Sequence, residues 1–321
     1  MFFKTGPTMT FQPFLQDKPP YLKLLYFIVI IVCCLFLINI FGMVLAVPFF
    51  GKSFLESLSA PYDFSDPAVI ARLKFLQVVN QLALFIVPVM VFALFAGKSM
   101  PDYLKLNRKI NVLPLLIAMS LIIAGLPFIN WLTALNSSMS LPEQLSGVEN
   151  WMRASETEAG TLTNAFLSSA TVGGLLINLL MIAILPAVGE EFFFRGILQR
   201  LFSEWFKNVH VAIIVTAFIF SAIHMQFYGF IPRFLLGMFL GYLFYWSGTL
   251  WLPIIIHFLN NGMAVVVAFL SARGTVNVNF ETFGSSDNLF VNISSAIVVA
   301  GLVFVLYRIR SSELRVQSSK P

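Results

Sequence analysis

Long apolar runs separated by short polar breaks predict the elements of this chain. Uncharged stretches cover residues 24–50, 75–97, 110–142, 159–189, 208–232, 234–272 and 288–307. A helix crossing a bilayer needs about 20 predominantly apolar residues. Each stretch is long enough, and 234–272 is too long for one crossing. Ser247-Gly248-Thr249 divides it, which brings the expected number of spans to eight. The fold class is therefore all-α, a polytopic membrane helix bundle of about eight transmembrane helices.

Composition agrees with the pattern. Of 321 residues, 58% are hydrophobic and 11% charged, the mean hydropathy is +0.86, and 35 residues are Phe. Soluble domains carry about a quarter charged residues, so a soluble enzyme, a disordered chain and a disulfide scaffold are excluded. The uncharged run 24–50 exceeds the roughly 7–15 residues of a signal-peptide core, so it reads as a retained span. Cys33 and Cys34 are neighbours inside it. They cannot close a useful disulfide loop and read as packing residues.

Charge changes the picture in one respect. The net charge of +5 flanks the apolar runs instead of forming a patch, so nucleic acid is not an expected partner. With eight spans, fourteen Lys and Arg fall on the side of the termini and six on the other. The positive-inside rule then puts both termini in the cytoplasm. The expected location is a bacterial plasma (inner) membrane, and the expected partners are the lipid bilayer and a membrane-associated peptide or protein substrate. Oligomeric state is open. The outer segments 51–74 and 136–160 are expected as short interfacial helices. The chain divides into an N-terminal membrane region 1–160 with three spans, a helix bundle 161–275, and a final span with its tail, 276–321.

Candidate chemistry lies in the few polar groups within apolar sequence, because hydrocarbon has no water to satisfy them. Glu190-Glu191-Phe192-Phe193-Phe194-Arg195 is expected at the cytoplasmic end of the fourth span. Glu191 and Arg195 are four apart, on one helix face, and Glu190 points about 100° away. The plain reading is a helix-end ion pair with a solvated spare acid. The functional one is a base at Glu190 supported by Glu191 and Arg195. His224, in Phe220-Ser221-Ala222-Ile223-His224, falls well along the fifth apolar run, where a lone His is more often structural. His257 and Asn261 share a face of the seventh span. A polar helix–helix contact is their ordinary explanation, above all for Asn260. Gly237-Met238-Phe239-Leu240-Gly241 reads as a close-packing motif.

Taken together, an acid, two imidazoles and a carboxamide suffice for amide hydrolysis. Glu190 is suited to general-base work. His224 can share the water or carry its proton, and His257 and Asn261 can donate to an oxyanion.

These three motifs resemble those of the CAAX prenyl protease and bacteriocin-processing (CPBP, Abi) family. They are Glu190-Glu191-x-x-x-Arg195, Phe220-x-x-x-His224 and His257-x-x-x-Asn261. The run from Phe234 to Gly241, followed by Ser247-Gly248-Thr249-Leu250-Trp251-Leu252-Pro253, is similar to the family's approach to its third motif. The similar region is about 185–262, a quarter of the chain. The resemblance implies an intramembrane endopeptidase, in which Glu190 and His224 activate water, His257 and Asn261 steady the oxyanion, and Glu191 and Arg195 support the site. Members are often labelled metalloproteases. No H-E-x-x-H helix is present, yet Glu190, His224 and His257 could form a three-ligand zinc site. A metal-free mechanism is favoured, because Asn261 suits an oxyanion better than zinc. The competing functions are a proton-coupled transporter, against which no broken-helix repeat is visible, and a non-catalytic membrane interaction protein.

Overall fold

The computed structural model describes residues 13–51, 54, 62–97 and 99–318. Lys4, Lys52, Lys98 and Lys320, and residues 55–61 of the first outer segment, lie outside them. The described residues form helices and turns without a strand.

Ten helices are numbered here: α1 Pro20–Phe50, α2 Pro67–Ala96, α3 Val112–Ala124, α4 Leu126–Ser137, α5 Ser146–Leu167, α6 Val172–Phe206, α7 Val209–Ala222, α8 Phe230–Ser247, α9 Trp251–Ala272 and α10 Leu289–Ser318. Six of them (α1, α2, α6, α8, α9 and α10) are long and apolar enough to cross a membrane. The α3–α4 pair, bent by 49°, makes a seventh if it counts as one span. Helix α7 is apolar but short, and counting it as well gives the expected eight. Large apolar side chains stay exposed along α1 (Phe36, Leu37, Phe49) and α10 (Phe290, Ile297). Such faces are untenable in water and ordinary against lipid. Cys33 is exposed on the same α1, so it does not pack in the core.

The sequence reading places two boundaries wrongly. Residues 159–167 belong to the end of α5, and the next span starts at Val172 after a break at Ser168–Thr171. That span then continues to Phe206, so Glu190 and Glu191 lie near the middle of a 35-residue helix and not at its end. Charge marks a span's end only when it must reach water. Here Glu191 and Arg195 are fully buried and paired within the protein. The outer segment 136–160 also differs from expectation. It carries most of α5, a 22-residue helix rather than a short one.

Proline explains two irregular stretches. The helix widens to π-type turns at Leu82–Ile86 and Leu179–Ile184, and each stretch is followed two residues later by Pro88 or Pro186. Proline offers no N–H, and its ring clashes with the carbonyl four residues back. A widened turn relieves that clash without breaking the helix. Between α8 and α9, Gly248 takes φ +65°, a left-handed conformation open to glycine, and separates the two helices where the sequence predicts a division.

Aromatic rings fill the core beside the site. Phe27, Phe85 and Phe194 surround Phe193 with ring centroids 5.0–5.3 Å apart, and Phe194 meets Phe220 edge-on at 5.1 Å. The Phe192-Phe193-Phe194 triplet thus clamps α6 between α1, α2 and α7.

Candidate active site

Helix α6 supplies the carboxylates. Glu190 is 7% exposed and faces a cavity, whereas Glu191 is fully buried. Arg195, one turn on, donates from Nη1 to Glu191 Oε1 at 2.8 Å and from Nη2 to the Gly237 carbonyl at 2.7 Å. Gln199, a further turn on, donates to the Gly241 carbonyl at 3.1 Å. The two glycines of α8 therefore do more than let helices touch. They bring the α8 backbone within reach of two polar side chains four residues apart on α6. A Cβ at Gly237 would meet Ala217 and Phe220 at about 3.1 Å, and one at Gly241 would meet Gln199 Oε1 at 2.9 Å.

Helix α9 supplies His257 and Asn261. His257 Nδ1 lies 2.8 Å from Glu191 Oε1, the oxygen that Arg195 also bonds. A carboxylate can only accept, so the proton on this contact belongs to Nδ1 and the other ring nitrogen, Nε2, is turned toward Glu190, 3.9 Å from Oε2. Asn261 donates to the Ile182 carbonyl at 3.1 Å and accepts from Asn260 at 3.1 Å. Ile182 is four residues before Pro186. It is the carbonyl that proline deprives of its α-helical donor, and Asn261 provides one. One N–H of the Asn261 amide remains for another partner.

His224 does not sit on a helix as the sequence predicts. Helix α7 ends at Ala222, and His224 lies in the following turn, where Met225 has φ +55°. Its Nδ1 donates to the Phe220 carbonyl at 2.7 Å. This fixes the tautomer and leaves Nε2 as the lone-pair nitrogen. The turn is tied down from two sides. Ser221 donates to the Phe230 carbonyl at 2.8 Å. Asn136 of α4, 5% exposed, donates to the Phe227 carbonyl at 3.0 Å and accepts from Ile231 N–H at 2.8 Å.

Glu190, His224, His257 and Asn261 all line one cavity of about 1140 Å³. Most of its wall is apolar, from α3, α4, α5, α8 and α10, with the polar groups on α2, α6, α9, the turn after α7 and the first turn of α8. Phe220 lies among them. Its ring is 5.2 Å from His224, 6.1 Å from His257 and 5.0 Å from the Arg195 guanidinium. The ring contacts both imidazoles, and no three His, Cys, Asp or Glu among the described residues are grouped to hold a metal ion. The set Glu190, His224 and His257, read from the sequence as a zinc alternative, does not fit zinc in this arrangement.

Sequence reasoning missed Gln81. It is 7% exposed on α2, lines the cavity with Glu190, and is near enough to act on the Glu190 carboxylate. Gln77, one turn earlier, lines the same cavity. The signal was available, since two Gln four apart in an apolar run mark a polar face. Close approach is permitted by Gly189, whose Cβ position lies 3.0 Å from both Phe85 and Ile86 of α2.

The class defined by this fold and site is a helical membrane protein with a buried acid–imidazole centre. Residues 172–263 match the family model described as type II CAAX prenyl endopeptidase Rce1-like. This is the same family that the three motifs resemble, and the matched segment contains all seven motif residues. No curated protein matches the chain, and no solved structure matches it.

Proposed function

We propose that the protein is an intramembrane endopeptidase that hydrolyses a peptide bond with water activated by Glu190. The observation that carries this reading is the shared cavity, which holds an acid, two imidazoles and a carboxamide in one mainly apolar chamber. The family match over 172–263 supports the same class.

In the proposed sequence the Glu190 carboxylate takes a proton from water, and the resulting hydroxide adds to the carbonyl carbon. The second N–H of Asn261 and a protonated Nε2 of His257 donate to the developing oxyanion. The C–N bond breaks, and the proton on Glu190 passes to the leaving amine, directly or through Nε2 of His224. Glu191, anchored by Arg195, orients His257 through Nδ1, as a carboxylate commonly orients an active-site imidazole. Phe220 and Gln81 hold His224 and Glu190 in place. No step requires a cofactor.

The test is cleavage of a lipidated C-terminal peptide by the purified protein in liposomes. Glu190→Gln and His224→Ala should each lower turnover by about 10²–10⁴-fold, the usual range for a lost acid–base group. Undiminished cleavage by Glu190→Gln would remove the proposal.

A further inference from the structure

Arg233 is a cation in the cavity that the proposed chemistry does not use. It stands in the first turn of α8 and lines the same chamber as Glu190 and His224. Its position is not explained by helix stability, since a positive charge at a helix N-terminus opposes the macrodipole. Nor does an ion pair explain it. Glu156 and Glu190 are near enough to act on it electrostatically, yet no carboxylate among the described residues lies within 4 Å of its guanidinium. Its hydrogen-bond partners are the backbone carbonyl of Gln226, at 3.2 Å, and the Gln226 side-chain oxygen, at 2.7 Å. Both are neutral. Two of the five guanidinium N–H groups are thus engaged, and three are left for another acceptor.

Gln226 holds this guanidinium against the turn that carries His224, and Arg233 is close enough to act on His224 electrostatically. An oriented guanidinium with free donors in a low-dielectric chamber is matched by a carboxylate, which it binds through paired N–H···O contacts. We propose that Arg233 is a substrate-binding residue that takes a carboxylate of the peptide and thereby sets which bond reaches Glu190. This inference rests on the protease reading and narrows its substrate to a peptide with an acidic group close to the bond cleaved. The carboxylate is either the free chain terminus or an Asp or Glu side chain.

Binding to full-length protein carrying Glu190→Gln, in liposomes, tests this without turnover. Four fluorescent lipidated peptides of one sequence are compared: a free C-terminus, its amide, the amide with an Asp near the terminus, and that amide with Asn in its place. The expected result is that one carboxylate-bearing peptide binds about tenfold more tightly than its neutral counterpart, the usual scale for a hydrogen-bonded charge. The free-acid pair or the Asp pair then identifies the source. Adding Arg233→Gln should bring that ratio to about one, and Arg233→Lys should restore part of it. A ratio is insensitive to a general loss of folded protein. Equal binding of acid and neutral peptides, no binding of any, or a ratio that survives Arg233→Gln would overturn the inference. Failure of the wild-type protein to cleave a peptide that binds in this way would count against the protease reading instead.

Discussion

Glu191 Oε1 receives both the Arg195 guanidinium and the His257 ring, with all three groups almost completely buried. Removing one member of such a buried set leaves an uncompensated charge, which costs about 3–5 kcal/mol. Arg195→Leu is therefore expected to destabilise the folded protein by that amount, measured by thermal unfolding in detergent. Glu190 is in a different position, facing the cavity with Gln81 beside it and His257 Nε2 3.9 Å from its Oε2. Glu190→Gln should leave stability nearly unchanged while activity is lost. Gln81→Leu should fall between, with folding kept and turnover down by about tenfold, the effect of losing one polar group beside a charged one. Turnover and melting of the same preparations check all three. At this scale the sequence revealed much, because polar residues in apolar runs are conspicuous. Glu191–Arg195 pairing followed from their spacing alone. The turn around His224 did not, since Asn136, which anchors it, looked like part of an outer loop. Phe220 stood in the second motif, but its contacts with both imidazoles and Arg195 were hidden, as it is one Phe among 35.

At the scale of elements, proline and asparagine act together across two helices. Pro186 takes a donor from the Ile182 carbonyl, and Asn261 of α9 supplies one. The two substitutions should therefore couple. Asn261→Leu should cost about 1 kcal/mol in the wild type and less in a Pro186→Ala background, where the Ala N–H can serve the carbonyl. A double-mutant cycle of thermal stability reads this directly, and strict additivity would refute it. The α6–α8 contact is similarly specific. Gly237→Leu would force the α8 backbone away from Ala217 and Phe220, so a loss of about 1–3 kcal/mol is expected, the usual effect of overpacking. The positions of most helices could be read from hydropathy. The course of α6 could not, because the rule that charges end a span fails where the charges satisfy one another inside the bundle. The shortness of α7 was equally hidden, as apolar sequence continues past the point where the helix stops.

For the whole molecule, the candidate site is larger than the segment similar to the family. Residues 172–263 contribute the motif side chains, while α2, α3, α4, α5 and α10 supply Gln81 and much of the apolar wall. The N-terminal 160 residues, silent in motif terms, complete the chamber by packing. That contribution depends on long-range contacts between helices, which no local pattern encodes. The apolar exterior of α1 and α10 and the polar interior around Glu191 reverse the arrangement of a soluble enzyme. Water enters the proposed reaction as a confined reactant.

The central claim is that a water molecule activated by Glu190 cleaves the peptide bond. The direct measurement is hydrolysis of a lipidated peptide by the reconstituted protein in heavy-oxygen water, with the products weighed by mass spectrometry. One heavy oxygen should appear in the new C-terminal carboxylate of the product, and its formation should fall at least about 100-fold in Glu190→Gln. Product formed equally fast by Glu190→Gln would contradict it.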